Sequence, residues 1–84
     1  GSLEYRKALT NYYSAHQISI LPEEIIVTTG ASEALSFTLN SVCDAGDEII
    51  IPEPFYANYN GFAAAASVNV IPVVSLFDDQ FKLP

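Results

Sequence analysis

The sequence predicts an α/β fold: a three-layer αβα arrangement on a mainly parallel sheet with crossover helices. Runs rich in β-branched residues at 25–28, 48–51 and 68–74 alternate with segments of helical character at 31–43 and 56–66. Helices of that length between strands act as crossovers, which parallel pairing requires. The strand segments Ile25-Ile26-Val27, Ile49-Ile50-Ile51 and Val70-Ile71 are nearly all apolar, as strands covered on both faces are.

Each element has its own warrant. Tyr5, Ala8, Leu9, Tyr12 and Tyr13 fall three and four apart, which predicts a helix over 3–16. Ser2 suits its N-cap, and Glu4 sits in the first turn where the helix dipole favours negative charge. Gln17 to Glu24, with Pro22, reads as a loop, and Ile25-Ile26-Val27-Thr28 as a buried strand. Gly30 breaks the pattern; the helix after it carries Ala34, Leu35, Thr38, Leu39 and Val42 on one side. Ala45-Gly46-Asp47 is a turn into the strand 48–51, which Pro52-Glu53-Pro54 ends. An alanine-rich helix at 56–66 leads to the strand 68–74, where Pro72 indicates an edge or a bulge. Asp78-Asp79 forms a further turn, and no repeat, low-complexity tract or linker interrupts the chain.

Composition narrows the function. Eighty-four residues make about one small domain, near the limit of independent stability, and a hydrophobic fraction of 50% argues against disorder. Cys43 is the only cysteine, so neither an internal disulfide nor a cysteine metal pair is available. A lone reduced thiol suits a cytoplasmic protein. Ten acidic against three basic residues, a net charge of -7, argue against a nucleic-acid partner and an anionic membrane surface. The longest apolar stretch, 62–74, is broken by Ser67, Asn69 and Pro72 and is too short to span a bilayer. Gly-Ser-Leu-Glu-Tyr-Arg-Lys at the start has no signal-peptide character, and Gly1-Ser2 also has the form of a cloning remnant. No metal site is expected: Asp78 and Asp79 are read as a solvated turn, Cys43 as a small apolar residue, and His16 as a helix-end residue.

Two segments are candidates for chemistry. At Val27-Thr28-Thr29-Gly30-Ala31-Ser32-Glu33-Ala34 a strand is expected to turn into a helix. Unpaired amides at a helix N-terminus, together with the dipole, form an anion site; Gly30 admits close approach and Ser32 adds a hydroxyl. Glu33 contributes only to the helix dipole in this reading. An ordinary capped helix after a tight turn has the same local pattern. The second segment, Ile51-Pro52-Glu53-Pro54-Phe55-Tyr56-Ala57-Asn58-Tyr59, leaves the carboxyl end of a strand, where open α/β sheets bind ligands. An aromatic ring there is placed to stack on a flat heterocycle; packing of the loop on the next helix accounts for the same residues.

Together the segments resemble a family. Gly1-Ser2-Leu3-Glu4-Tyr5-Arg6-Lys7-Ala8-Leu9 is similar to the Gly-x-x-Glu-Leu-Arg-x-Ala-Ile/Leu run of class I/II pyridoxal-phosphate-dependent aminotransferases. Pro22 to Thr28 followed by Gly30-Ala31-Ser32-Glu33-Ala34-Leu35 resembles their phosphate-cradle segment. Asp44-Ala45-Gly46-Asp47-Glu48-Ile49 is similar to their Asp-Pro-Gly-Asp-Glu-Val turn, and Pro52-x-Pro54-x-Tyr56-x-x-Tyr59 to their aromatic loop. Tyr5 and Ala45 stand where leucine and proline are common, away from the expected site.

The resemblance implies an internal piece of the large, cofactor-binding domain, spanning 1–84. The amides of Gly30, Ala31 and Ser32, with the Ser32 hydroxyl, would hold the phosphate of pyridoxal 5'-phosphate, and Tyr56 would stack on its ring. It also implies a homodimeric parent that moves an amino group from an amino acid to a 2-oxo acid. No catalytic residue is expected in this piece. The family's cofactor-bearing lysine, the aspartate at the pyridinium nitrogen and the substrate-carboxylate arginine have no counterpart here, nor do the asparagine and tyrosine near the ring hydroxyl. Lys7 and Lys82 stand in the wrong contexts to replace the lysine. The other readings are a related pyridoxal-phosphate lyase, a nucleotide-binding α/β domain and a non-catalytic structural fragment. Against the nucleotide reading, neither a Gly-x-Gly-x-x-Gly run nor a P-loop lysine motif follows the first strand. The piece alone is expected to be inactive, and to associate with itself or require the rest of its domain.

Overall fold

A computed structural model describes residues 1–84 as two compact units, Gly1–Ala34 and Leu35–Pro84. In the first, helix α1 (Leu3–Ser14) begins at Ser2, whose hydroxyl accepts from the Tyr5 N–H at 3.3 Å. It ends two residues before the expected His16. Gln17 takes a left-handed conformation (φ 63°) and the Ile18 N–H returns to the Tyr13 carbonyl, a Schellman-type stop on a residue other than glycine. A 3₁₀ turn follows at Pro22–Glu24, where the Glu24 carboxylate takes the Leu21 N–H at 2.7 Å.

The strand expected at 25–28 does not form. Ile25 is extended (φ -111°, ψ 127°), but a strand is defined by its ladder and this segment pairs with nothing in the chain. Its apolar residues met the condition of propensity and not that of a partner. Ile26 is 79% exposed. Helix α2 (Gly30–Val42) starts in this unit and runs into the next.

The second unit holds the sheet. Strands β1 (Glu48–Glu53) and β2 (Asn69–Val74) pair in parallel, Glu48 opposite Asn69 and Glu53 opposite Val74. Helix α3 (Asn58–Ala65) is the crossover between them. The sheet therefore has two strands where three were expected, within the expected α/β class. The entry to β1 is fixed by a turn: the Asp47 carboxylate takes the Asp44 N–H at 2.7 Å, and Gly46 supplies a φ of 91° that other residues adopt at a cost. Gly46 N–H then donates to the Ser67 carbonyl and Asn69 N–H to the Asp47 carbonyl, both at 2.8 Å, which aligns the starts of the two strands.

Leu39, Ile51, Ala63 and Val68 form the buried core of this unit. On one side of the sheet Leu35 and Leu39 of α2, Ile49 and Ile51 of β1, and Tyr59 and Phe62 of α3 line an apolar hollow of about 250 Å³. On the opposite side Ile50 stays 71% exposed, as its alternation with the buried Ile51 dictates. Asp78 and Asp79 lie in a 3₁₀ turn, Phe77–Asp79. Cys43 is half-buried, and no group of acidic, histidine or cysteine side chains is placed to hold a metal.

Candidate functional site

The junction after Ile25–Val27 is built by three local bonds. Thr28 Oγ1 donates to the Gly30 carbonyl at 2.8 Å, the Gly30 N–H donates back to the Thr28 carbonyl at 3.0 Å, and the Thr29 N–H donates to Glu33 Oε1 at 3.1 Å. Gly30 holds φ at 83°, a backbone that side chains with a Cβ rarely adopt. Space over its Cα is open to 4 Å. The chain turns sharply there and enters α2 with Ala31 and Ser32 exposed.

This geometry sorts the expected donors. The Gly30 N–H is engaged by Thr28, so Gly30 contributes its conformation and not a free donor. The N–H groups of Ala31 and Ser32 lie in the first turn of α2, where no intrahelical acceptor exists, and no loop carbonyl or side chain takes them. Ser32 Oγ stands exposed beside them. Two main-chain N–H groups and one hydroxyl at the positive end of a thirteen-residue helix are a donor set for an anion with several oxygens.

Glu33 does more than was read from sequence. Its carboxylate folds back on Thr29 and satisfies the N–H before the turn, four residues away and so one longer than the three of a capping box. No capping-box spacing therefore advertised it. Arg6 was also missed: its Nη1 donates to the Pro22 carbonyl at 2.9 Å, sixteen residues along the chain. No periodicity reports such a contact, because an arginine three residues into a helix reads as a solvated side chain.

Tyr56 belongs to the second unit and lies just past the carboxyl end of β1. The residue is 59% exposed and its ring makes a T-shaped pair with Tyr59, with centroids 5.7 Å apart and planes at 85°. Tyr59 in turn stacks on Phe55 at 6.1 Å and 16°. Asn58 Nδ2 donates to the Tyr56 hydroxyl at 2.8 Å. The T-shaped contact and this bond hold the residue, while its exposure leaves surface for another group. Of the sequence candidates, Gly30, Ala31 and Ser32 lie together at the turn into α2 in the first unit; Tyr56 lies in an aromatic cluster of the second.

The chain thus combines a parallel α/β unit with an open helix N-terminus after a glycine turn, and an exposed aromatic where a strand ends. It belongs to the aminotransferases of class I and II, whose family model matches residues 1–83. It is 32% identical to an aspartate aminotransferase of Pinus pinaster, over 99% of this chain and 17% of the relative. A (5-formylfuran-3-yl)methyl phosphate transaminase of Methanocaldococcus jannaschii is 40% identical over 74% of this chain and 17% of its own length. The solved aspartate aminotransferase of Thermus thermophilus with maleate superposes with a TM-score of 0.93 at 32% identity. That match covers 100% of this chain and 22% of the other, so the chain spans about a fifth of the length of such relatives.

Proposed function

We propose that this chain is the part of an aminotransferase large domain that holds the phosphate of pyridoxal 5'-phosphate and supports one face of its ring. The turn at Gly30 carries the reading, because it delivers the Ala31 and Ser32 N–H groups and the Ser32 hydroxyl to one place without a protein acceptor. The residues fit a phosphate dianion. Donors converge at a helix N-terminus, the main chain at Gly30 is approachable, and the neighbouring carboxylate of Glu33 is turned back on Thr29. Tyr56 offers its ring to a flat heterocycle, with Tyr59 in T-shaped contact and its hydroxyl tied to Asn58.

When bound, pyridoxal phosphate supplies the electron sink and the amino-group carrier. The chain's own residues bind and orient: Ala31 and Ser32 hold the phosphate, and Tyr56 offers its ring for stacking. The whole protein transfers an amino group from an amino acid to a 2-oxo acid, and acts in the cytoplasm as a homodimer. Its cofactor-bearing lysine and substrate-carboxylate arginine come from polypeptide outside these residues. Family membership, shown over residues 1–83, supports this reading.

The test is Ser32→Asp in the whole protein. The carboxylate suits a helix N-terminus but opposes a phosphate there, so folding is retained while cofactor affinity falls by on the order of 2–4 kcal/mol. Cofactor titration with thermal unfolding of the apoprotein separates the two effects. Unchanged affinity would remove this junction from the site.

A further inference from the structure

We infer that Arg6 is a positioning residue for the anion site at Gly30, acting through the extended run that delivers the turn. The inference rests on the cradle reading above and adds to it a residue far from the donors. Arg6 Nη1 donates at 2.9 Å to the Pro22 carbonyl, in a partly buried setting. The same carbonyl accepts the Ile25 N–H at 3.2 Å, the bond that closes the 3₁₀ turn and releases the chain into the run Ile25–Thr29. Arg6 therefore grips the point from which that run departs. Its Nε is fully buried and has no partner. Withdrawing part of a guanidinium from water without a full set of acceptors costs free energy, so the side chain is held by its surroundings and not by a saturated network.

A second contact holds the run further along. Gly1 lies so close to Val27 that a Cβ on it would stand 2.7 Å from Val27 Cβ. The segment from Gly1 to Arg6 thus meets the chain at Pro22, just before the run, and at Val27 within it. Only Thr28 and Thr29 separate Val27 from Gly30. Hydrogen-bond donors serve an anion only when set to within about 0.5 Å, so a run free to slide at Pro22 delivers Ala31 and Ser32 off target.

The experiment uses the whole protein with Arg6→Met, which keeps an apolar stem without the donor, and Arg6→Lys, which keeps a donor. Lys7→Met on the exposed side of α1 is the control. Affinities for pyridoxal phosphate and for pyridoxal, which lacks the phosphate, are measured by absorbance titration, with the ³¹P resonance of the bound cofactor and the apoprotein melting temperature. Arg6→Met is expected to bind pyridoxal phosphate roughly tenfold more weakly and pyridoxal within about twofold of wild type, with the ³¹P resonance displaced. Arg6→Lys should recover most of the loss, and Lys7→Met should match wild type. Wild-type affinity and resonance in Arg6→Met would overturn the inference, as would equal losses for both ligands, the mark of a merely structural residue. If Arg6→Met does not fold, Gly1→Ala decides by pressing on the same run at Val27: a phosphate-selective loss supports positioning, and no such loss overturns it. The two readings fail differently. When wild type binds both ligands alike and Ser32→Asp changes neither, the cradle itself is wrong. When wild type prefers the phosphate compound, Ser32→Asp abolishes the preference and Arg6→Met retains it, only the role of Arg6 is lost.

Discussion

Tyr56 shows how a residue's role can be divided by substitution. Its hydroxyl bonds Asn58 on the surface, and its ring meets that of Tyr59 in a T-shaped contact. A stacking role needs the ring alone, so in the whole protein Tyr56→Phe should keep most cofactor affinity. Tyr56→Ala should lose roughly 1 kcal/mol or more, on the scale of aromatic pairing. Equal affinities for the two variants in a cofactor titration would leave Tyr56 as a loop-packing residue. At this scale the geometry at Gly30 and Ser32 was legible because it is local: a glycine in a left-handed backbone, and a hydroxyl in a helix's first turn. Capture of the Gly30 N–H by Thr28, and of the Pro22 carbonyl by Arg6, was not legible. Both depend on where a carbonyl points, which residue types do not specify.

Among the elements, the helices stop for a reason the composition does not advertise. Ser67 adopts φ 57° after α3, and the Val68 N–H returns to the Ala63 carbonyl at 2.8 Å, the six-to-one bond of a Schellman motif. A side chain in that conformation costs about 1 kcal/mol, partly offset by the extra freedom glycine has when unfolded. Ser67→Gly should therefore stabilise the protein by up to about 0.5 kcal/mol, read as a higher urea midpoint. The main-chain bond from Gly46 N–H to the Ser67 carbonyl survives this change. In the other direction, Glu33→Ala removes the acceptor of the Thr29 N–H and a first-turn negative charge. It should cost about 1 kcal/mol of stability by the same measurement. A helix α2 indifferent to Glu33 would mean that the return bond adds nothing beyond solvation. The helix to 16 was read from apolar spacing and the helix to 66 from its alanine content, whereas the structure ends each helix where the chain can reverse.

For the whole molecule, exposed apolar surface dominates. On one face of the two-stranded sheet Ile50 is 71% and its register partner Ile71 39% exposed, and both strands have an unpaired edge. An uncovered apolar face and open edges favour association, and a charge of -7 slows it without removing its cause. Sedimentation equilibrium on the 84 residues alone should show self-association; a monodisperse monomer with a sharp cooperative melt would contradict it. Lys7 and Lys82 are both exposed, one on α1 and one near the carboxyl end. Borohydride reduction of the 84 residues with pyridoxal phosphate should accordingly label them weakly and without preference. Stoichiometric labelling of a single lysine, mapped by mass spectrometry, would contradict the absence of the cofactor-bearing lysine from this segment.

The sequence by itself determined the α/β class, the order of α2, β1, α3 and β2, and the glycine turn with its serine. Each follows from periodicity, β-branching or a backbone angle that glycine favours, and such signals lie within a few neighbouring residues. Only the tertiary structure decided that Ile25–Thr28 stays unpaired, that Gly30 spends its own N–H on Thr28, and that Arg6 holds Pro22. A strand exists only with a partner, a donor is free only if no acceptor faces it, and a contact sixteen residues along the chain is made by the path between its ends. Those are properties of positions in space, which local residue pattern constrains but does not set.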